Sequence, residues 1–176
     1  MSNYGRGPTG GGGVRPRETQ RGGTGYAGNR DRTDDTVANH WPDYLKDGYF
    51  DTEGNLKVEY VSREKVDPLV KQMAGGRPNL TSAQLRRFFG HCRTLETRLK
   101  SGAATWDELR AQFKFLAAAA ADAYGKAQPK IPGLFYDFIQ RNVDAVKSEK
   151  DFRRGFLPHF EALVGFGSLH IQKDRN

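Results

Sequence analysis

The chain has 176 residues and a formal charge of +7, from 28 lysines and arginines against 21 acidic residues. That length fits one domain plus a tail, and a pI near 9.6 points to a polyanionic partner. One cysteine rules out an intramolecular disulfide; no apolar run approaches the ~20 residues of a membrane span, and the N-terminus lacks an apolar signal core, so a cytoplasmic protein is expected.

Residues 1–36 are rich in glycine and arginine (Gly10–Gly13, Arg15, Arg17, Arg21, Gly22, Gly23) and nearly devoid of aliphatic side chains. Such a stretch buries too little apolar surface to offset its ordering entropy, so it is read as a disordered tail. Arg21-Gly22-Gly23 with Tyr4 and Tyr26 faintly resembles RNA-binding RGG tails; a flexible linker is the simpler reading. Residues 37–176 are the expected helical domain, with Trp41 and Tyr44 as its first anchors.

Two short apolar segments flank Glu53-Gly54-Asn55 within Gly48–Val61, which predicts a short hairpin or extended loop. A calcium loop starting at Asp51 fails, because Leu56 falls where glycine is needed and Ser62 where a bidentate glutamate is needed. Val66, Leu69, Val70 and Met73 predict a short helix from Asp67, with Pro68 in its first turn and Gly75-Gly76 at its end.

The stretch Leu80–Lys100 carries a full helix-start signal: Thr81 with Gln84 as a capping box, and Leu80 with Leu85 as a hydrophobic staple. Leu85, Phe88, Phe89, Cys92, Leu95 and Leu99 then form one apolar stripe. Arg86, Arg93 and Lys100 line one flank of that stripe, and Arg87, His91 and Arg98 the other; Glu96 alone opposes them. The pattern admits an ordinary amphipathic helix with solvated arginines, or a surface that grips a nucleic-acid backbone. Arginine suits the second task, because its planar fork pairs with phosphate and keeps its charge.

A second capping box, Thr105 with Glu108, opens a helix with Leu109, Phe113, Leu116, Ala120 and Tyr124 on one face, ended by Gly125 and Pro129. Arg110 and Lys114 lie one turn apart on it. Pro132 starts another helix through Val146; Ser148 with Asp151 resembles a third box before a last helix that Pro158 should kink or split. The expected fold is all-α: a compact bundle of five to six helices with a hairpin or extended loop near its start.

Enzyme signatures are missing: there is no Walker loop, HExxH or nucleophile elbow, and the glycine clusters of the tail follow no strand and precede no helix, so they make no dinucleotide fingerprint. Cys92 lies on an apolar stripe, where an inert thiol is expected. His91 between Arg87 and Arg93 could serve as a base for RNA cleavage, but spacing supplies no second acid–base group. The expectation is therefore a non-enzyme with no cofactor and no metal. Its RNA-binding candidates are Arg86, Arg87, Arg93, Arg98, Lys100, Arg110 and Lys114, with Lys126, Lys130, Arg141, Arg153 and Arg154 secondary.

Leu80–Phe89, LTSAQLRRFF, resembles the LT-x-x-Q-[LI]-R-[KR]-F signature of the small helical subunit of the type III-A CRISPR effector, the Csm complex. Tyr49-Phe50, Gly54-Asn55-Leu56 and Tyr60-Val61 upstream, and Phe160–Val164 downstream, are similar to further motifs of that family. The likeness covers roughly residues 45–167; the Gly/Arg tail and Pro158 depart from the family pattern. It implies a non-catalytic subunit that stacks in copies along a ribonucleoprotein filament, beside the backbone and large subunits. There it would hold guide RNA and target RNA through their backbones, with Arg86 and Arg87 as the motif's basic pair, while base pairing reads the sequence. The alternative is a helical scaffold or adaptor whose basic flanks meet acidic protein surfaces.

Overall fold

The computed structural model describes residues 35–171. The Gly/Arg-rich stretch, apart from its last two residues, lies outside the described residues, as does the end of the chain after Ile171. Among the described residues there are six helices and no strand: α1 (Val37–His40), α2 (Arg63–Gly75), α3 (Ser82–Lys100), α4 (Trp106–Gly125), α5 (Gly133–Ala145) and α6 (Leu157–His170). A 3₁₀ turn, Val58–Tyr60, precedes α2, and a π-helical turn, Asp151–Phe156, runs straight into α6. The all-α bundle expected from the sequence is the fold observed.

The caps form as their chemistry requires. The Thr81 hydroxyl accepts from the Gln84 N–H at 3.2 Å while Gln84 Oε1 accepts from the Thr81 N–H at 2.9 Å. Thr105 and Glu108 repeat the exchange at 3.4 and 2.7 Å. Those donors hold the Glu108 carboxyl below its usual range. Asp151 accepts from the Ser148 N–H at 2.9 Å and the Ser148 hydroxyl accepts from the Asp151 N–H at 3.1 Å, which completes the third box.

Two boundaries differ from expectation. Helix α2 begins at Arg63, four residues early, with Pro68 inside it. Val66 is fully buried on the same face as Val70 and Met73, and this burial outweighs the backbone bond that Pro68 cannot make. Pro158 does not split the last helix. The turn before it widens instead, with the Leu157 N–H bonding to the Phe152 carbonyl five residues back. The extra residue in that turn precedes the position where a proline ring would meet an α-helical carbonyl.

The predicted extended element is a loop with one antiparallel bridge, Phe50 to Leu56. Asp51 Oδ1 accepts from the N–H groups of Glu53 (3.0 Å) and Asn55 (2.8 Å), so this carboxylate is consumed by the turn it starts. Gly54, at φ +82°, supplies the left-handed residue.

The core lies where α2 and α3 meet α6, and where α4 meets α5. Aromatic rings run through it: Phe113 lies 5.5 Å from Phe156, Phe156 lies 5.4 Å from Phe160, and Phe160 lies 5.6 Å from Phe138. Residues before α2 are tied on by a buried polar chain. Tyr49 donates to Asn142 Oδ1 at 2.8 Å, and Asn142 Nδ2 donates to Tyr44 Oη at 2.6 Å and to the Phe138 carbonyl at 2.7 Å. Tyr44 in turn meets His159 Nε2 at 2.8 Å, while His159 Nδ1 lies 2.5 Å from the Tyr60 carbonyl. A carbonyl only accepts, so Nδ1 carries the proton and Nε2 accepts from Tyr44. The sequence assigned His159 no role; here it is a fully satisfied core residue.

Burial lowers the His159 pKa from 6.5 to about 4. The unfolded chain takes up a proton that the folded ring refuses, so stability is complete above pH ~6.5 and falls as pH drops towards 4. The group can account for as much as ~3 kcal/mol of that loss. Ring NMR should find His159 still neutral at about pH 5, and urea midpoints should fall through this window; a His159 that protonates near 6.5 contradicts the account. A second expectation concerns Gly155, where an added Cβ would sit 2.6 Å from the Tyr49 ring. Gly155→Ala should cost about 1–3 kcal/mol in denaturant unfolding.

Candidate nucleic-acid interface

Helix α3 buries Leu85, Phe88, Cys92 and Leu95, with Phe89 and Leu99 packed at the edge of the core. Burial pushes the Cys92 thiol up to about 12, so it stays protonated and behaves as a small apolar group. With the stripe fixed inward, Arg86, Arg87, Gly90, Thr94 and Thr97 are left on the exposed face. At 3.6 residues per turn the two cationic flanks diverge by about 140°, so they do not face one surface.

The flank of Arg86, Arg93 and Lys100 is partly neutralised. Glu96 is only 7% exposed. It lies 2.6 Å from Arg93 and 2.6 Å from Lys100, whose side chains are 48% and 55% exposed. The trio thus presents one net positive charge instead of two. Beside it, a cleft of about 540 Å³ is lined by Glu96, Lys100, Glu149, Lys150, Arg153 and Arg154. Arg153 pairs with Glu149 at 2.7 Å, and Lys150 sits 4.4 Å over the Phe50 ring.

The other flank runs along α4. Arg98 donates to Gln112 Oε1 at 3.0 Å and His91 Nε2 donates to the Gln112 carbonyl at 3.1 Å. Both contacts use neutral acceptors, so Arg98 keeps its charge while its position is set. A groove of about 330 Å³ opens here, with Arg87 and His91 on the α3 side and Phe115 on the α4 side. Lys126 and Lys130 also line it. Gln84, whose oxygen caps α3, also donates from Nε2 to the Lys130 carbonyl and so fixes the α4–α5 connection against the start of α3.

Arg110 and Lys114 stand apart. They line a third cleft, about 270 Å³, with Trp106, Val146 and Lys147. Arg110 reaches Asp107 at 3.9 Å, and Lys114 donates to the Val143 carbonyl near the end of α5. Desolvation, and secondarily the nearby Lys147, lowers the Lys114 pKa. Of the seven candidates, Arg86, Arg87 and Lys114 are exposed with no acidic ion-pair partner among the described residues, and Lys114 is spent on the Val143 carbonyl. Phe115 was missed, because it falls off the apolar stripe of α4; an aromatic ring on the polar face of a capped helix is the signal that could have marked it.

A family model described as Csm2 Type III-A matches residues 64–173. The chain belongs to the Csm2 Type III-A family. It is thus a small subunit of the type III-A CRISPR Csm complex, as the LTSAQLRRFF motif implies. The match takes in α2, but for its first residue, through α6 and every candidate cation. No curated protein and no solved structure matches it. No helix among the described residues is long and apolar enough to cross a membrane.

The Glu96 clamp yields a test within the Csm2 chain. Glu96→Gln removes the charge that Arg93 and Lys100 share, so the protein should elute from heparin at higher salt. Unchanged elution would mean that those two cations do not reach a polyanion.

Proposed function

We propose that this Csm2 subunit holds the guide RNA–target RNA region by sequence-independent phosphate contacts, that copies stack along the filament, and that it performs no cleavage itself. The observation that carries the reading is the pair Arg86 and Arg87, exposed and without carboxylate partners among the described residues, at the start of the capped helix. They straddle an outer face on which Gly90 has no side chain to hold a strand away and Thr94 and Thr97 are exposed. Arg98 on one edge and the Arg93–Glu96–Lys100 trio on the other extend the positive charge along the rod. Arg110 and Lys114 face a separate cleft and would meet a different stretch of RNA or a neighbouring subunit.

About four phosphate contacts predict that log affinity falls against log salt with a slope near −3 for single strands. Reversing both Arg86 and Arg87 to glutamate should flatten that slope and weaken unrelated RNA sequences equally. A slope near zero removes the phosphate grip. Loss of complex assembly in the reversed variant without any RNA would favour the scaffold role, in which the arginines meet acidic protein.

A further inference from the structure

We propose that the groove between α3 and α4 is a single-nucleotide cleft, in which Phe115 is a stacking platform for one unpaired RNA base while Arg87 and Lys130 hold its flanking phosphates. This rests on the RNA-holding reading above and adds to it a base-contacting position on α4.

Phe115 is 68% exposed. The inward face of α4 is already supplied by Leu109, Phe113, Leu116 and Ala120. Phe115 therefore contributes little to the bundle, and leaving an aromatic ring in water is a cost without a return in folding. Its neighbours Ala118 and Ala119 are exposed and small, so the ring is not covered from the side.

The groove beside it, about 330 Å³, is at the lower end of the roughly 300–1,000 Å³ of small-ligand clefts. Its lining carries one carboxylate, Asp122, and that group pairs with Lys126 at 2.9 Å. Arg87 and Lys130 are left with uncompensated charge on a wall whose geometry is fixed by the Gln84 contact to Lys130. Cations beside a free aromatic face are the combination that binds single-stranded nucleic acid: the charges follow the backbone and the ring accepts any base. A duplex keeps its bases stacked on one another, so the ring selects an unpaired or splayed nucleotide. A second copy of this chain is a poorer occupant, because it brings a net charge of +7 to a positive groove.

The test is binding of the full chain to fluorescein-labelled oligo(A) of about twelve nucleotides and to an abasic ribose–phosphate chain of equal length. Anisotropy would be followed across a salt series. Phe115→Ala should weaken oligo(A) about tenfold and leave the abasic chain and both salt slopes unchanged; Phe115→Trp should keep wild-type affinity. Phe115→Ala binding oligo(A) as tightly as wild type, or weakening both polymers alike, would overturn the platform while leaving the phosphate grip standing. A Phe115→Ala variant changed only in self-association would assign the face to a second copy and overturn the platform too. Wild-type protein with no salt-dependent binding to either polymer would take down the phosphate reading, and this one with it.

Discussion

The constraint on which the bundle depends is the satisfaction of the Tyr49–Asn142–Tyr44–His159 chain inside the core. Asn142 and His159 are fully buried polar groups, and each costs heavily if left unpaired. Their partners come from segments far apart in sequence: Tyr44, Tyr49 and Tyr60 before α2, Asn142 on α5, and His159 on α6. Apolar packing alone would let the first segment slide over the helices. Directional bonds allow one seating, and Gly155, pressed against the Tyr49 ring, makes any thicker residue there costly.

That seating fixes α6, and α6 with α4 fixes the inward face of α3. Once Leu85, Phe88, Cys92 and Leu95 are committed to the core, helical geometry dictates where the arginines go. The charge pattern of α3 therefore follows from the packing and was not arranged separately. What packing does not dictate is neutralisation. Glu96 removes one charge from one flank, and Gln112 orients Arg98 on the other without removing any.

Much of this was legible in the sequence, and for identifiable reasons. Capping boxes are local, so Thr81/Gln84, Thr105/Glu108 and Ser148/Asp151 could be read from spacing alone, and each forms. The apolar stripes of α3 through α5 follow the helical period and are the faces buried. The LTSAQLRRFF motif carried the family. Long-range facts were not legible: no local pattern shows that Asn142 and His159 meet the tyrosines before α2, or that the Arg110–Lys114 pair opens onto Lys147 instead of α3. Pro68 misled because a proline suits a first turn, which put the helix start at Asp67; the burial of Val66 carries the helix back to Arg63.

Gln84 serves two masters with one amide. Its oxygen terminates a row of unsatisfied donors at the beginning of α3, and its nitrogen grips the loop that carries Lys130. Folding signal and groove width are thereby written into the same side chain, so selection acting on one necessarily acts on the other. A glutamate there would keep the cap yet let go of the loop, and the gap between Arg87 and Lys130 would no longer be a fixed dimension of the molecule.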